Sequence, residues 1–344
     1  MIQKTKMHKL FVPPLLAATA LFSSLSAHAQ VVLTASTWVP PTHLLSRAQA
    51  EWCDDVGKAT EGRVRCNILP KPAAPSPATF DAVRDGIVDL SFGVHNYTPG
   101  RFVLTEVAEM PFLGESATAS SIAYQHIYDK HLAALNEHRG LKVLAVFTHG
   151  PGRIFSAKAP VKTLADLQGM KFRTSGGVQV RICEVLKTNC TLKPAPEAYE
   201  LLSSGVVDGT FWPDESVTAF RTEKLIRHAT RIPGGLYNVS FAFVMNPATW
   251  QKIARADQAA IEKLSGEHAA RRFGQFWDAE DVKARTLHQQ AGIQVHAADP
   301  KFLGELRAAL GQIEQQWVDK AKEKGLANPQ QVLGEMRSEI AKVK

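Results

Sequence analysis

The sequence predicts an α/β protein built of two lobes. Its 344 residues leave about 315 once an N-terminal leader is set aside, more than one hydrophobic core holds comfortably. Short runs rich in β-branched residues alternate with helical spacing of apolar residues, the pattern of β-α-β units. A strand also follows Gly-x-[Ile/Val]-Asp twice, at Asp89 and Asp208. This indicates that the two lobes share a plan without being a sequence repeat.

Residues 1–29 have the features of a secretory signal peptide. Three lysines precede an apolar run that begins at Leu10, and Ala27-His28-Ala29 is an A-x-A cleavage site. The run is too short and too soon interrupted to span a membrane, and no later stretch approaches about 18 consecutive apolar residues. No cysteine lies near the cleavage site to carry a lipid anchor. We therefore expect a soluble, exported protein.

The charge balance argues against a nucleic-acid partner. The chain carries 40 Lys and Arg against 33 Asp and Glu, a formal net charge of +7 that falls to +4 without the three leader lysines. These cations are scattered, whereas nucleic-acid binding calls for a basic stripe on one face or element. A mildly positive field would help to draw in anionic solutes, and a surface that serves only solubility is the alternative.

Four cysteines fall into two local pairs, Cys53 with Cys66 and Cys183 with Cys190. Neither pair has the C-x-x-C spacing of a zinc or redox site, and an exported chain meets an oxidising compartment. We predict two disulfides, the first of which closes a loop worth roughly 3 kcal/mol in chain entropy. A catalytic cysteine is the alternative.

The first lobe is expected to begin with a β-strand that leads into a loop at Trp38. A Pro-rich loop over 71–77 precedes a helix, and the strand after that helix ends near His95 and Asn96. The predicted order is strand 31–36, helix 44–56, strand 64–69, helix 78–84, strand 86–94, helix 119–135 and strand 141–147.

The segment from Gly150 to Gly177 is predicted to form an anion site. Thr163 is a suitable N-cap for a one-turn helix, and the short strand after it ends at Arg173. The Gly-rich turn that follows leaves backbone N–H groups free at the start of a second helix. A guanidinium here offers paired hydrogen bonds to a carboxylate, which a lysine cannot match. The plain alternative is that Arg153 and Arg173 are ordinary surface charges.

The rest of the chain is predicted to complete the second lobe and to connect the two. Its elements are helix 178–186, helix 196–204 with a strand after it, strand 237–246, and helices after residue 299. Apolar positions also recur with helical spacing from about Asp257 to Gln290, and Gly266 and Gly274 are tolerated inside at some cost. At 1.5 Å per residue this helix would span about 50 Å, long enough to cross both lobes.

Residues 160–173 resemble the solute-binding subunits of TRAP transporters, the DctP type. The family writes this segment roughly as P-[IV]-x-[ST]-x-x-[DE]-[LM]-x-G-x-[KR]-x-R, and here it reads Pro-Val-Lys-Thr-Leu-Ala-Asp-Leu-Gln-Gly-Met-Lys-Phe-Arg. The resemblance covers most of the mature chain. It implies the two-lobed periplasmic binding protein fold, with hinge strands and a long connecting helix. The implied boundaries are 30–150 plus about 238–277 for lobe I, and 151–237 plus about 278–344 for lobe II.

The resemblance also implies a ligand between the lobes. Arg173 would make the paired contact to a carboxylate, and Arg153 would match a second arginine that many members have. Trp38 and Trp212 would be flat apolar walls, with a packed core residue as the alternative for Trp212. His95 and Asn96 are candidate pocket residues or, alternatively, parts of a turn. The complete candidate set is Arg173, Arg153, Trp212, Trp38, His95, Asn96, Phe211 and Asn238.

The run from Thr210 to Asp214 departs from the family. Most members have a Gln-Glu-Asn-Pro-like run whose asparagine reaches the ligand, and Trp212 stands in that place. A branch that resembles the 2-oxo-acid binders has tryptophan after a metal-binding glutamate, whose position is Phe211 here. A phenyl ring cannot ligate a cation, so we expect no metal and no cofactor. These apolar residues favour an aromatic or branched monocarboxylate over a dicarboxylate.

The expected function is that of an extracytoplasmic receptor in the periplasm, not an enzyme. A monomer would close over a small organic acid and dock on the small and large membrane subunits of a TRAP permease. One alternative is a secreted hydrolase of a small acid, although the sequence has no G-x-S-x-G, H-E-x-x-H or G-x-x-x-x-G-K-[ST]. Another is a carboxylate receptor that serves an ABC transporter or a sensor.

Overall fold

The computed structural model describes residues 1–2 and 30–343. The signal peptide predicted over 1–29 lies outside the described residues, apart from its first two. The described chain forms two β-sheets flanked by helices, and this confirms the predicted α/β class. We call the part of the chain around the first sheet lobe I and the part around the second sheet lobe II.

The helices and strands follow one another in alternation along most of the chain. The strands are β1 (Val31–Ala35), β2 (Val64–Ile68), β3 (Leu90–Val94), β4 (Lys142–Thr148), β5 (Arg153–Ser156), β6 (Lys171–Thr174), β7 (Asn189–Leu192), β8 (Gly209–Trp212), β9 (His228–Arg231), β10 (Ser240–Met245) and β11 (Gln294–Ala297). The helices are α1 (Leu44–Ala59), α2 (Thr79–Arg84), α3 (Ala117–Ile127), α4 (Leu164–Leu167), α5 (Val178–Val185), α6 (Ala198–Ser203), α7 (Asp214–Ala219), α8 (Pro247–Lys252), α9 (Arg255–Lys263), α10 (Glu267–Gln290), α11 (Pro300–Glu323) and α12 (Pro329–Lys342). Within the described residues, none of these helices is both long and apolar enough to cross a bilayer.

The sheet of lobe I has the strand order β2-β1-β3-β10-β4. β1 pairs parallel with β2 and β3, whereas β10 runs antiparallel between β3 and β4. β10 enters from a later part of the chain, so the sheet of lobe I is built from two separate stretches. Every residue of β3 and β10 is buried, as expected for strands with helices on both faces.

The sheet of lobe II has the order β11-β9-β5-β8-β6-β7. β6 pairs parallel with β7 and β8, and β5 runs antiparallel between β8 and β9. The carboxyl end of β6 therefore lies beside the carboxyl end of β8, where Arg173 pairs with Thr210. This edge of the sheet faces lobe I and positions the site described below.

Two crossings of the chain join the lobes side by side. One crossing, residues 149–152, leads from β4 to β5, and the other, residues 232–239, leads from β9 to β10. They are hydrogen-bonded to each other, because the Gly152 N–H donates to the Tyr237 carbonyl at 2.8 Å and the Leu236 N–H donates to the Gly152 carbonyl at 2.9 Å. The paired crossings form the hinge.

The predicted helix over 257–290 is wrong in length, because the chain breaks it near Gly266. α9 ends at Lys263, and α10 starts after Gly266, whose φ of +56° is a conformation that glycine adopts at low cost. The Gly266 N–H donates to the Leu144 carbonyl at 2.6 Å, which fixes the break against β4. The 24 residues of α10 span about 36 Å, and the helix still crosses from lobe I to lobe II.

The C-terminal helices pack on both lobes. α11 contacts α4 and α5 of lobe II, whereas α12 packs along α3 of lobe I. The expected boundaries assigned all of the chain after residue 278 to lobe II. In the structure, a third stretch of the chain, the C-terminal helix α12, therefore also packs on lobe I.

Both predicted disulfides are present. Cys53 in α1 is bonded to Cys66 in β2, and Cys183 in α5 is bonded to Cys190 in β7. Each bond therefore fastens a helix to the strand that follows it. The second bond lies in lobe II, just after the segment 150–177 that carries the predicted anion site.

Candidate ligand-binding site

A cavity with about 400 Å³ of space free of protein atoms lies between the two lobes. Trp38, Tyr97 and Phe241 line it from lobe I, and Arg173 and Trp212 line it from lobe II. The cavity is therefore suited to a compact solute that touches both lobes.

Six flat side chains follow one another around this cavity, and we call them the aromatic collar. Each ring offers a flat face that suits contact with an aromatic solute. Neighbouring centroids are separated by 5.4 Å (Trp212 to Phe220), 5.9 Å (Phe220 to His43), 6.1 Å (His43 to Trp277), 5.7 Å (Trp277 to His149) and 5.5 Å (His149 to Tyr237).

Arg173 is a buried cation that lies beside Trp212 of the aromatic collar. Its side chain is only 1% exposed, its Nε donates to the Lys193 carbonyl at 2.7 Å, and its guanidinium carbon lies 5.6 Å from the Trp212 ring. Nη2 is buried without a hydrogen-bond partner, and no acidic side chain among the described residues lies within ion-pair distance. A buried charge without a counter-ion is costly, so this arrangement calls for an anion.

Two hydroxyl groups accompany Arg173. Ser175 Oγ and the Tyr237 hydroxyl are buried and have no partner within the described part of the chain, and both residues line the cavity. Burial raises the pKa of Tyr237, an effect that the charge of Arg173 partly offsets, so the phenol keeps its proton. A carboxylate at this end would receive donors from a guanidinium and from hydroxyl groups.

The two histidines of the collar are neutral at pH 7. Burial lowers the pKa of His149 to about 4 and that of His43 to about 3. His43 Nδ1 accepts from the Leu45 N–H at 3.2 Å, so the proton is on Nε2, which lies 3.3 Å from Glu215 Oε1. Among the charged and titratable side chains that line the cavity, Arg173 thus supplies the positive charge.

Three of the candidate residues come together in the cavity wall, namely Arg173, Trp38 and Trp212. The Trp38 indole is fixed by a 3.0 Å hydrogen bond to the Phe92 carbonyl. Phe211 instead stacks on Phe172, with centroids 4.7 Å apart, inside lobe II. Successive residues of a strand face opposite sides of a sheet, so Phe211 and Trp212 cannot both reach the cavity.

Arg153 lies outside the cavity lining. Its Nη2 donates to Glu115 Oε2 at 2.8 Å, its Nη1 donates to the Ile232 carbonyl at 3.2 Å, and its Nε is 3.9 Å from Asp214 Oδ2. The guanidinium is therefore already paired by acids from both lobes. Its guanidinium group thus serves contacts within the protein, and Arg153 does not line the cavity.

The remaining candidates lie behind the cavity wall. His95 bonds to Ser240 Oγ at 2.9 Å and to His138 at 2.8 Å. Asn238 Nδ2 donates to the His149 carbonyl at 3.1 Å and so joins the two hinge crossings. Asn96 is buried beside the Gly-rich turn, where a Cβ on Gly177 would lie 3.0 Å from Asn96 Cβ.

Several residues of the wall were not predicted. They come from the residue before α1, the turn after β3, α5, the end of α7, the two hinge crossings, β10 and α10. These segments are far apart in the sequence. The additional wall residues of the cavity include His43, Tyr97, His149, Gln179, Phe220, Tyr237, Phe241 and Trp277. One available signal was the apolar spacing in the predicted connecting helix, where Trp277 follows Phe273 by four residues.

No group of three or more His, Cys, Asp or Glu side chains that could hold a metal ion occurs within residues 1–2 and 30–343. Arg173, Ser175 and Tyr237 supply donors to the cavity that suit an anion.

Comparison with known proteins relates this arrangement to binding proteins. The model of the DctP family, described as bacterial extracellular solute-binding protein, family 7, matches residues 35–321. The chain is 30% identical over 334 residues, 97% of this chain and 98% of the relative, to the outer membrane transporter protein TsaT of Comamonas testosteroni.

Two solved structures are similar over nearly the whole chain. A TRAP periplasmic solute-binding protein of Bordetella bronchiseptica with bound (R)- and (S)-mandelate is 41% identical, has a TM-score of 0.89, and covers 91% of this chain and 100% of its own. A marine-metagenome TRAP solute-binding protein specific for aromatic acids, in complex with 3-hydroxybenzoate, is 33% identical, has a TM-score of 0.86, and covers 91% of this chain and 99% of its own.

Proposed function

This chain belongs to bacterial extracellular solute-binding protein family 7, the DctP family, and from that premise we propose that it binds an aromatic monocarboxylate between its lobes. The observation that carries the proposal is the buried Arg173, whose Nη2 lacks a partner among the described residues while aromatic rings surround the space in front of it. The carboxylate would pair with the guanidinium, and the ring would lie inside the aromatic collar.

A single carboxylate suits the charges of the wall. Arg173 is a cation, whereas His43 and His149 are neutral because burial lowers their pKa values. Arg153 is engaged by Glu115. A second carboxylate on the ligand would therefore be buried without a cation, which is costly. This argument favours a monocarboxylate over a dicarboxylate.

The ligands of the two similar structures support the same class. (R)- and (S)-mandelate and 3-hydroxybenzoate are each an aromatic ring with one carboxylate. The aromatic collar of this chain offers faces and edges to such a ring. Branched aliphatic acids would fill part of the space but would lose the ring contacts, worth about 0.5 to 1.5 kcal/mol per aromatic pair beyond burial.

The receptor would act outside the cytoplasm and without chemistry on its ligand. Export through the N-terminal signal peptide, closure as a monomer, and delivery to the small and large membrane subunits of a TRAP permease complete the proposal. A hydrolase would need a nucleophile in the cavity. Ser175 Oγ lines the cavity, but no base among the described residues is hydrogen-bonded to it. Ser240, which contacts His95, does not line the cavity, and its Oγ donates to Glu109 at 2.7 Å.

The test is a thermal-shift screen of the mature protein against aromatic, branched, hydroxy, oxo and dicarboxylic acids, with Arg173→Ala as the control. A ligand at about 100 times its Kd adds roughly 2.7 kcal/mol, which raises the midpoint by several degrees. We expect aromatic monocarboxylates to give the largest shifts in the parent protein and none in the variant. Equal shifts in both proteins, or shifts with dicarboxylates alone, would contradict the proposal.

A further inference from the structure

The indole of Trp277 is a further buried donor in the cavity wall that lacks a partner among the described residues. Three other tryptophans, Trp38, Trp52 and Trp317, each donate their Nε1–H to a backbone carbonyl at 3.0 Å. Trp277 is 3% exposed, and its Nε1 is buried with no partner in the described part of the chain. Buried donors are nearly always paired, and Trp277 lines the cavity, so a ligand atom is the natural acceptor.

This donor lies at a different place in the cavity from Arg173. Along the aromatic collar Trp277 sits between His43 and His149, whereas Arg173 sits beside Trp212. Trp277 belongs to α10 and its ring lies 6.2 Å from that of Phe241 in lobe I. A solute whose carboxylate is held by Arg173 in lobe II would present its other end to Trp277.

His149 adds an acceptor next to this donor. Its Nδ1 contacts the Gly150 carbonyl, which can only accept, so Nδ1 carries the proton of the neutral ring. Nε2 then has a free lone pair, and no hydrogen bond to it is found among residues 30–343. The His149 and Trp277 rings are 5.7 Å apart. Indole nitrogen only donates and this imidazole nitrogen only accepts.

We propose that the ligand carries a hydroxyl group remote from its carboxylate, which accepts from Trp277 Nε1–H and donates to His149 Nε2. A hydroxyl is both donor and acceptor, so it satisfies both groups at once. A second carboxylate or a nitro group would place oxygen lone pairs against the lone pair of His149. This inference rests on the proposed function, and it narrows the aromatic monocarboxylates to hydroxylated ones.

The test compares matched ligands on the parent protein by calorimetry. For the benzoate and phenylacetate frameworks, each ring-hydroxylated acid is paired with the acid that has a methyl group in the same place. We define the hydroxyl preference as the Kd of the methyl acid divided by that of the hydroxyl acid. At the favoured ring position we expect a preference of about tenfold or more, the size of one good hydrogen bond in a buried site.

Two variants then assign the preference to a residue. Trp277→Phe keeps an aromatic ring but removes the N–H, and we expect the preference to fall to about one while the methyl acid binds nearly as before. Trp317→Phe is the matched control, since it removes an indole N–H that is already bonded to the Val103 carbonyl and lies outside the cavity lining. Its preference should stay at the parent value, and thermal midpoints check that both variants are folded.

Some results would overturn the inference. One is a parent protein that binds methyl and hydroxyl acids equally at every ring position. Another is an unchanged preference in Trp277→Phe. A preference confined to mandelate over phenylacetate would place the hydroxyl beside the carboxylate and would also overturn it. Failure of the proposed function would be seen differently, as equal binding of the methyl acids by the parent protein and Arg173→Ala.

Discussion

Arg153 and Arg173 are both buried, and their neighbours give them different tasks. Arg153 has Glu115 at 2.8 Å and Asp214 at 3.9 Å, so its charge is balanced within the protein. Arg173 has a backbone carbonyl and an aromatic face but no acid among the described residues. The first arginine therefore stabilises the junction of the lobes, whereas the second is free to recognise an anion.

The two glycines of Gly150-Pro-Gly152 make room for side chains from elsewhere. A Cβ on Gly150 would lie 1.9 Å from Asp281 Oδ2, and one on Gly152 would lie 2.2 Å from Tyr237 Cε1. Neither glycine has a positive φ, so close approach is the reason for glycine here. The bend predicted from these residues therefore also leaves space for Asp281 of α10 and for the Tyr237 ring of the cavity wall.

Substitution of Gly152 tests this contact. In Gly152→Ala the new methyl group would push the Tyr237 ring away from its place in the aromatic collar. We expect a loss of stability of about 1 to 3 kcal/mol from overpacking and about tenfold weaker binding of an aromatic acid, because the Tyr237 hydroxyl loses its place beside the carboxylate. Calorimetry and chemical denaturation measure the two effects.

Gly57→Ala is the matched control for this experiment. Gly57 lies in α1, and a Cβ there would meet nothing within 4 Å. Alanine favours a helix over glycine by about 1 kcal/mol, so the control should be at least as stable as the parent and bind equally. Equal binding by Gly152→Ala and the parent would show that the position of Tyr237 does not matter to the ligand.

At the scale of elements, α10 does the most to join the lobes. Its Asp278 accepts from Ser116 Oγ at 2.8 Å and from the Ala117 and Thr118 N–H groups at 2.7 and 3.0 Å, at the start of α3. Three residues later, Asp281 Oδ1 accepts from the Glu215 N–H in α7 of lobe II at 2.7 Å. One helix thus fixes an element in each lobe and presents Trp277 between them.

Asp281 makes this junction sensitive to pH. Burial, and then the nearby charge of Asp214, raise its pKa to about 8. Between pH 4 and pH 8 the folded protein keeps a proton that the unfolded chain releases, so the free energy of unfolding decreases as pH rises, by up to about 1.4 kcal/mol per unit. Glu109, with a pKa raised by burial to about 7, adds a slope of the same sign.

The variant Asp281→Asn should flatten this dependence. The amide keeps an oxygen for the Glu215 N–H but cannot ionise, so its stability should fall less steeply between pH 5 and pH 8. Denaturation curves at several pH values measure the slope. Asp319→Asn, at an exposed position of α11, is the control and should keep the parent slope. A slope unchanged in Asp281→Asn would contradict the role of this carboxyl.

The elements differ in how well their limits could be predicted. Apolar spacing identified the helical character of 257–290, because α9 and α10 both bury one face. The break at Gly266 depends on a hydrogen bond to Leu144, a partner more than a hundred residues away. Local sequence patterns contain no information on such a distant partner. The packing of α12 on α3 also joins residues that are far apart in the sequence, so it could not be predicted either.

At the scale of the whole molecule, the structure is a closed form. Contacts between lobes surround the cavity, including His43 with Glu215 at 3.3 Å, the Ala195 N–H with the Tyr97 hydroxyl at 2.9 Å, and Arg181 with Glu106 at 2.7 Å. These contacts exist only when the lobes meet. A solute bound to both lobes would favour this form through the same contacts.

The two-lobed plan and Arg173 were predictable, whereas most of the wall was not. The strand and helix patterns and the segment ending at Arg173 are local in sequence. The wall joins His43, Phe220, Tyr237 and Trp277 from four distant segments, and only the packing of the hinge and α10 brings them together. The contacts of Arg153 could not be predicted for the same reason, since its partner Glu115 is 38 residues away.

The pairing of Arg173 with the ligand carboxylate is the central claim, and a thermodynamic cycle tests it most directly. Calorimetry would compare the tightest acid of the screen with its primary amide on the parent protein and on Arg173→Met. We predict that the parent prefers the acid by about 2 to 5 kcal/mol, roughly 30- to 4,000-fold, and that the variant has no preference. The same preference for the acid in both proteins would contradict the account.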